Sequence, residues 1–235
     1  MGRNLIIAID GTSGSGKTTM AKLSAQRLNF FYLETGSFYR AFTWYCLKQK
    51  LIHPKIDVSL SQSCRVAKAI KKIIPKISID FKWDGKMARV YLQGKEVSDN
   101  LHSPSVDKIV SYISEIKEVR EKMVQIQRKL SCGKNVIGEG RDIGSVVFPD
   151  ATLKIFVDCQ LEERVKRRRR EMAEKGISIS TTAIRRNLIE RDRIDSQRKV
   201  SPLIKLPEAI YIDTTNLTIE EEVNLLVELI RELSP

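Results

Sequence analysis

Short apolar runs alternate with segments of helical periodicity along most of the chain. Residues 5–9 form a continuous apolar run rich in β-branched side chains, which is typical of a buried parallel strand. Four further short strands are predicted, at residues 31–33, 136–137, 153–157 and 209–212. Between them lie longer stretches that could form helices, and this alternation favours a doubly wound α/β fold with a mostly parallel sheet.

Apolar residues at helical spacing predict the helices that flank this sheet. Phe38, Phe42, Tyr45 and Cys46 would share one face of a helix after the second strand. Further helices are predicted at residues 17–28, 104–130 in two pieces, 161–173, 182–198 and from a capping box at 218–221 onward. The sequence therefore predicts a parallel sheet core covered by helices.

Residues 55–100 differ in character from the rest. Val66 and Ile70 suggest one helix, while residues 77–81 and 88–92 alternate apolar and polar side chains around a turn at Asp84 and Gly85. A β-hairpin is expected there rather than another strand–helix unit. We therefore predict a core formed by residues 1–55 and 100–235, with a small inserted domain at 56–99.

Composition and charge narrow the class of protein. The 235 residues are 42% hydrophobic, and their net charge of +12 comes from 41 Lys and Arg against 29 Asp and Glu. Such a charge suggests anionic partners, either nucleic acid or phosphorylated small molecules. Four cysteines without a C-x-x-C pair and two histidines favour neither a zinc site nor a disulfide framework. With no signal peptide and no apolar run near the ~20 residues of a membrane span, we expect a cytoplasmic protein without a membrane partner.

A phosphate-binding motif follows the first strand. Residues 11–18 read GTSGSGKT and match G-x-x-x-x-G-K-[ST] at every required position. Glycines let backbone amides close around an anion, and the helix that starts near Lys17 directs its positive end at that anion. Lys17 could reach the β- and γ-phosphates and the Thr18 hydroxyl could bind Mg²⁺. The motif predicts triphosphate binding, in a motor, a GTPase, a switch or a small-molecule kinase.

Two further segments favour the small-molecule kinase. Thr35 and Arg40 open the helix after the second strand, and Arg141 with Asp142 follows the strand that ends near Glu139. Carboxyl ends of strands are where α/β sheets bind ligands. Arginines there could neutralise two phosphate-bearing substrates and the transferring phosphoryl group.

The chain resembles the bacterial cytidylate kinase family at residues 11–19, 34–40, 140–151 and 190–198, and in order and spacing over almost its whole length. The resemblance implies ATP and Mg²⁺ as phosphoryl donor and metal, and CMP and dCMP as acceptors. It also implies that the insert covers the monophosphate and that a lid lies at about 160–180. We expect a monomer that does not use nucleic acid as a partner.

The resemblance also implies a role for each matching residue. Thr35 and Asp142 would accept from the cytosine amino group, and Arg120 would donate to the base acceptors. Glu139, where Asp is common in the family, would orient Mg²⁺ through water. The remaining implied roles are donor binding by Gly11, Thr12, Ser13, Gly14, Ser15, Gly16, Lys17, Thr18 and Thr19, monophosphate binding by Arg40, Arg141 and Arg198, and ribose contact by Ser111, Arg191 and Asp195.

The basic helix at 161–173 allows two interpretations. It could be a nucleic-acid or targeting patch, or it could be the kinase lid. Arg164, Arg167 and Arg168 fall at i, i+3 and i+4 on one helical face, which could close over the ATP phosphates. Val165 and Met172 lie on a different stripe and could anchor the helix, while Arg169 and Arg170 would face solvent. The resemblance favours the lid, with Arg167 adding transition-state charge to that of Lys17 and the monophosphate arginines.

Three rival functions follow from the same residues. A kinase for UMP or a non-nucleotide acceptor would keep the phosphate loop and change the acceptor contacts. A nucleic-acid-binding ATPase would use the +12 charge, and a regulatory module would bind nucleotide without turnover. The predicted mechanism is direct in-line transfer to a phosphate oxygen that is already anionic, so no general base is needed.

Overall fold

A computed structural model describes residues 4–53, 64–174 and 176–233. The chain divides into two compact units. The first unit consists of Met1–Tyr32 and Lys134–Pro235, and the second of Leu33–Gly133. Within the described part of the chain, no helix has both the length and the apolar character needed to span a membrane.

A five-stranded sheet forms the centre of the first unit. Strand β1 pairs in parallel with β6 on one side and β7 on the other, and β7 pairs in parallel with β8. The order across the sheet is β2-β6-β1-β7-β8. Because β1 is central, Ile7, Ala8 and Ile9 are completely buried. The strands are β1 (Ile6–Gly11), β2 (Phe31–Glu34), β6 (Val136–Gly140), β7 (Leu153–Asp158) and β8 (Ile210–Asp213).

Among the described residues of the first unit, four α-helices and one π-helical turn accompany the sheet. The C-terminal helix begins with a complete capping box, in which Thr218 and Glu221 each bind the backbone N–H of the other. The π-helical turn Ile143–Val147 directly follows the end of β6. The helices are α1 (Lys17–Leu28), α6 (Leu161–Glu174), α7 (Thr181–Gln197) and α8 (Ile219–Arg231).

The second unit combines helices with a small antiparallel sheet. The sheet has the order β3-β4-β5, and the Phe38 and Phe81 rings stack at 5.6 Å between centroids. The predicted hairpin is present, since Asp84 accepts the backbone N–H groups of Lys86 and Met87 in its turn. The α-helices and strands described there are α2 (Thr35–Lys48), α3 (Cys64–Ile73), β3 (Ile79–Trp83), β4 (Ala88–Leu92), β5 (Lys95–Glu96), α4 (Pro104–Ser114) and α5 (Lys117–Ser131).

The predicted elements agree with the structure in type and place, and the α/β class with a parallel sheet is confirmed. Periodicity missed the two-residue strand β5 and the π-helical turn, because neither is long enough to show a repeat. The boundaries of the inserted domain at 56–99 and of the lid stay predictions. Residues 56–63 of that insert lie outside the described part of the chain.

Candidate active site

The phosphate loop lies between β1 and α1, as the motif predicts. Gly11 must be glycine because a Cβ there would lie 2.0 Å from the carbonyl oxygen of Val157. Gly16 precedes α1 with φ of 89°, in the left-handed region that favours glycine, and a Cβ there would lie 2.8 Å from a carboxylate oxygen of Glu222. The loop therefore has the backbone shape that lets amide groups surround an anion.

Lys17 is buried at the start of α1. Its ammonium group donates a hydrogen bond to the carbonyl oxygen of Thr12 at 3.0 Å, within the loop itself. Burial, and then the nearby charge of Arg141, lower the pKa of Lys17 to about 7, while Glu139 acts in the opposite direction. A phosphate in the loop would supply the counter-charge that favours the protonated ammonium.

The two residues predicted to bind Mg²⁺ lie side by side. The Thr18 hydroxyl donates to a carboxylate oxygen of Glu139 at 3.2 Å, and Glu139 is buried at the end of β6. Mg²⁺ prefers oxygen ligands and commonly takes only one or two from the protein, with water and substrate phosphates completing its shell. A hydroxyl and a carboxylate at this spacing fit that requirement.

Ser13 connects the phosphate loop to three other segments. Its hydroxyl accepts from Arg141 at 2.8 Å, and its carbonyl oxygen accepts from Arg164 at 3.0 Å. Its backbone N–H donates to the carboxylate of Asp192 at 2.9 Å, and the same carboxylate is paired with Arg164. An amide of the anion-binding loop is thus bound by a protein carboxylate.

The carboxylates of α7 and of the β6 end are paired with arginines. Arg141 donates from Nε to Asp195 at 2.8 Å, and Arg198 lies 3.7 Å from Asp195 and 3.6 Å from Asp142. Burial alone would raise the pKa of Asp195, but the guanidinium groups of Arg141 and Arg198 lower it below its usual value. Arg191 is half-buried on the same helix. The structure therefore brings together five predicted acceptor-site residues within the first unit.

Four predicted acceptor-site residues belong to the second unit. Arg40 donates to the Asp107 carboxylate at 2.8 Å and to the Leu101 carbonyl oxygen at 3.0 Å. Arg120 donates to the Ser114 carbonyl oxygen at 3.0 Å and lies 5.3 Å from the centre of the Tyr39 ring. All four are buried, namely Thr35, Arg40, Ser111 and Arg120. Buried polar side chains in such number are uncommon without a structural or binding role.

The three arginines of the basic helix have different partners. Arg164 contacts the phosphate loop, as described above, whereas Arg167 donates to the Thr214 carbonyl oxygen at 2.6 Å and pairs with Glu222 at 3.2 Å. Arg168 pairs with Glu171 on its own helix at 2.6 Å. Their shared helical face therefore does not give them a shared set of contacts.

The apolar stripe of the same helix anchors it as predicted. Val165 packs with Ile184 and Leu188 of α7, and Met172 is also buried. Arg169 and Arg170 are exposed, in agreement with the sequence pattern. Helix α6 is therefore held to α7 by apolar contact as well as by the ion pair of Arg164 with Asp192.

Three carboxylates around the site were not singled out from the sequence. Asp10 and Glu222 are buried, and Asp192 binds the phosphate loop. Only Asp10 carries a sequence signal, since a charged residue ends an otherwise apolar strand directly before the glycine motif. The other two lie on helices whose charged faces resemble ordinary solvated surfaces.

A parallel sheet with a phosphate loop after its central strand, a buried lysine in that loop and paired arginines beside it defines a P-loop kinase. A family profile described as "Cytidylate kinase" matches residues 7–232. The chain belongs to the cytidylate kinase family.

Individual relatives support this membership. A protein named "Cytidylate kinase" from Fusobacterium nucleatum subsp. nucleatum is 43% identical over 230 residues, which cover 98% of this chain and 99% of that protein. Another of the same name from Alkaliphilus oremlandii is 41% identical over 225 residues, covering 96% and 97%. Among solved structures, an uncharacterized protein from Eubacterium ventriosum aligns with a TM-score of 0.50. The alignment covers 97% of this chain and 99% of that one at 13% identity, so the two proteins are similar in fold.

Proposed function

We propose that this protein transfers the γ-phosphate of ATP to CMP and dCMP, giving CDP and dCDP. One contact carries the proposal, namely the hydrogen bond of 2.8 Å from Arg141 to the Ser13 hydroxyl. It links a guanidinium expected to bind the acceptor phosphate to the loop expected to bind the donor phosphates. Two anionic substrates repel each other, so a cation at this place is what the transfer needs.

The donor side of the reaction is assigned to the first unit. Backbone amides of the loop bind the β-phosphate, and the Lys17 ammonium leaves the Thr12 carbonyl to reach the β- and γ-phosphates. Thr18 and Glu139 would hold Mg²⁺, which when bound neutralises charge on the β- and γ-oxygens. Arg164, whose partners include the Ser13 carbonyl, would contact the phosphates, and Arg167 and Arg168 are the other lid arginines.

The acceptor side depends on arginines and on base recognition. Arg40, Arg141 and Arg198 bind the monophosphate, whose oxygen is already an anionic nucleophile, so the residues orient and neutralise rather than remove a proton. The Asp142 carboxylate would accept from the amino group of cytosine, and Arg120 would donate to the acceptor atoms of the base. Uracil carries an acceptor in place of the amino group, so it would face Asp142 without a hydrogen bond. The other assigned contacts are Thr35 to the base and Ser111, Arg191 and Asp195 to the ribose.

A coupled assay with a panel of monophosphates tests the proposal. CMP and dCMP should be phosphorylated with kcat/KM at least about tenfold above UMP and AMP, because an unmatched buried polar group costs about 1–3 kcal/mol. Asp142→Asn should narrow the gap between CMP and UMP, whereas Asp213→Asn, at the end of β8, serves as the matched change outside the assigned site. Equal efficiency with UMP would contradict the roles of Asp142 and Arg120.

Several expectations accompany this function. We infer that residues 56–99 form the monophosphate-covering insert and that about 160–180 form the lid, as the resemblance implies. The monomeric state and the cytoplasmic location stay predictions, which gel filtration with light scattering and cell fractionation would test. Stimulation of phosphate release by RNA or DNA without any nucleotide acceptor would favour the ATPase alternative instead.

A further inference from the structure

Asp10 is a buried carboxylate for which the proposed mechanism has no use. It lies near the end of β1, directly before the phosphate loop, and is 5% exposed. One of its oxygens accepts the backbone N–H of Ile143 at 2.7 Å and the other accepts that of Gly144 at 2.8 Å. Both oxygens are therefore committed to two consecutive amides that lie more than 130 positions away in the chain.

Those amides begin the π-helical turn that follows Asp142. The first N–H groups of any helical segment have no carbonyl partner within it, so an outside acceptor decides where the segment starts. The Asp142 carbonyl accepts from Val146 at 2.9 Å and from Val147 at 3.1 Å, which fixes the other end. A carboxylate forms stronger hydrogen bonds with amides than a neutral acceptor does. Asp10 thus anchors the start of the turn whose preceding residues are Arg141 and Asp142.

The surroundings leave the turn little freedom to settle elsewhere. A Cβ on Gly144 would lie 3.3 Å from the Lys154 side chain and 3.4 Å from Leu206. On the strand side, a Cβ on Gly138 would lie 3.3 Å from the Phe148 ring. Close packing on both sides means that a shift of the turn would require rearrangement of these neighbours.

Asp10 stabilises the fold less in its ionised form than in its protonated form, which argues against a role in stability alone. Burial raises its pKa to about 6, although the amides of Ile143 and Gly144 act to lower it. The folded protein therefore binds a proton at this carboxyl more readily than the unfolded chain, so ionisation of Asp10 lowers the free energy of unfolding. An apolar residue would avoid this desolvation, as at the neighbouring buried positions of β1.

We propose that Asp10 is a positioning residue of the acceptor site, and that its two hydrogen bonds hold the backbone of the π-helical turn so that Arg141 and Asp142 are placed to receive the nucleoside monophosphate. The inference rests on the proposed function for the identity of the acceptor. Asp10 itself touches neither substrate. It acts through the residues that precede the turn it anchors.

The variant Asp10→Asn distinguishes a positioning role in the acceptor site from a general loss of structure around the active site. An amide keeps the size of the side chain, but its NH₂ group would face one of the two backbone N–H groups and leave it unsatisfied. The KM for CMP should rise about tenfold or more, while the KM for ATP changes less than about threefold. Glu221→Gln makes the same change in a carboxylate that accepts a backbone N–H at 2.8 Å elsewhere in the first unit, and should change neither KM. An equal rise in both KM values for Asp10→Asn would overturn the proposal.

A double-mutant cycle tests the route of the effect. If Asp10 acts through Asp142, then Asp10→Asn should raise the KM for CMP much less in an Asp142→Asn background than in the wild type. Independent effects that multiply would show that Asp10 acts by another route, and the proposal would then be wrong.

Hydrogen exchange of the wild-type protein gives a readout that needs neither a variant nor turnover. The amides of Ile143 and Gly144 should be protected in the absence of any nucleotide, because Asp10 already binds them. If these amides exchange freely and become protected only when CMP is added, Asp10 does not preposition the turn. This result would decide against the proposal even if the Asp10→Asn variant did not fold. If wild-type protein fails to phosphorylate CMP, the proposed function fails, whereas this measurement still decides whether Asp10 holds the turn.

Discussion

Asp192, on helix α7, binds two groups that ATP would also need in the proposed function. Its carboxylate accepts the backbone N–H of Ser13 at 2.9 Å and is paired with Arg164, two groups that we assign to donor phosphate binding. A triphosphate must therefore break both contacts to bind. Asp192→Asn keeps the shape of the side chain and removes its charge, so it should make ATP binding tighter.

The size of the gain follows from these two contacts. Ser13 and Arg164 bind different oxygens of Asp192, so in Asp192→Asn one of them faces an NH₂ group that cannot accept a hydrogen bond. A hydrogen bond to a charged group contributes about 1.5–3 kcal/mol and a neutral one about 0.5–1.5 kcal/mol, so losing one contact and the charge of the other removes about 2 kcal/mol of competing interaction. The side chains of Arg164 and Asp192 are 10% and 20% exposed, and solvent screening reduces the sum of about 2 kcal/mol. We expect a net gain of about 1.4 kcal/mol, which is a tenfold lower Kd for ATP.

Titration calorimetry with ATP and Mg²⁺ in the absence of acceptor measures this Kd directly. Glu190→Gln is the matched control, since Glu190 lies on the same helix and pairs with Arg193 at the surface. The control should leave the Kd unchanged within about twofold, because screened surface pairs contribute little. An unchanged or weaker ATP affinity in Asp192→Asn would refute the reasoning, since it would mean that the carboxylate does not compete with phosphate.

Three further outcomes are expected. Lys17→Ala should lower kcat by roughly 10²–10³-fold or more while circular dichroism and the Tm show a retained fold, because the ammonium acts mainly on the transferring phosphate; a loss below about tenfold would contradict its role. The free energy of unfolding of the wild type, measured with urea, should fall by about 2 kcal/mol relative to that of Asp10→Asn between pH 4 and pH 7. The reason is that the Asp10 pKa is raised from 3.8 to about 6, so its stabilising protonated form is lost as pH rises through that value. Gly11→Ala should destabilise the protein by about 3 kcal/mol or more in thermal unfolding, because its Cβ would meet the Val157 carbonyl. A Cβ at Gly36 would meet no atom within 4 Å, so Gly36→Ala should unfold at the wild-type temperature or above. Equal changes in Tm for the two variants would contradict the geometry.

Local patterns predicted most elements well because they depend on neighbours in sequence. The apolar run at 5–9, the glycine motif and the helix at 17–28 reappear as β1, the phosphate loop and α1. A strand or an amphipathic helix shows itself through a period of two or 3.6 residues. The π-helical turn Ile143–Val147 has no such period, since its start depends on a carboxylate supplied by another strand.

Side-chain partners were far less predictable, as the basic helix shows. Spacing places Arg164, Arg167 and Arg168 on one face, yet the first contacts Ser13, the second Thr214 and the third Glu171. The partners of Arg164 and Arg167 lie on segments distant in sequence, so they depend on how α6 packs against its neighbours. Sequence spacing alone gives the direction of a side chain from the helix axis and not its partner.

The sequence by itself determined the class of fold, the phosphate loop and the family, because these depend on a periodic pattern and a contiguous motif. Only the tertiary structure decided that Asp10 anchors the turn after Asp142 and that Asp192 binds the Ser13 amide, across separations of 133 and 179 residues. No local pattern encodes such contacts, since they form only when chain segments distant in sequence are packed together and a buried charge must find the donors that folding brings within reach.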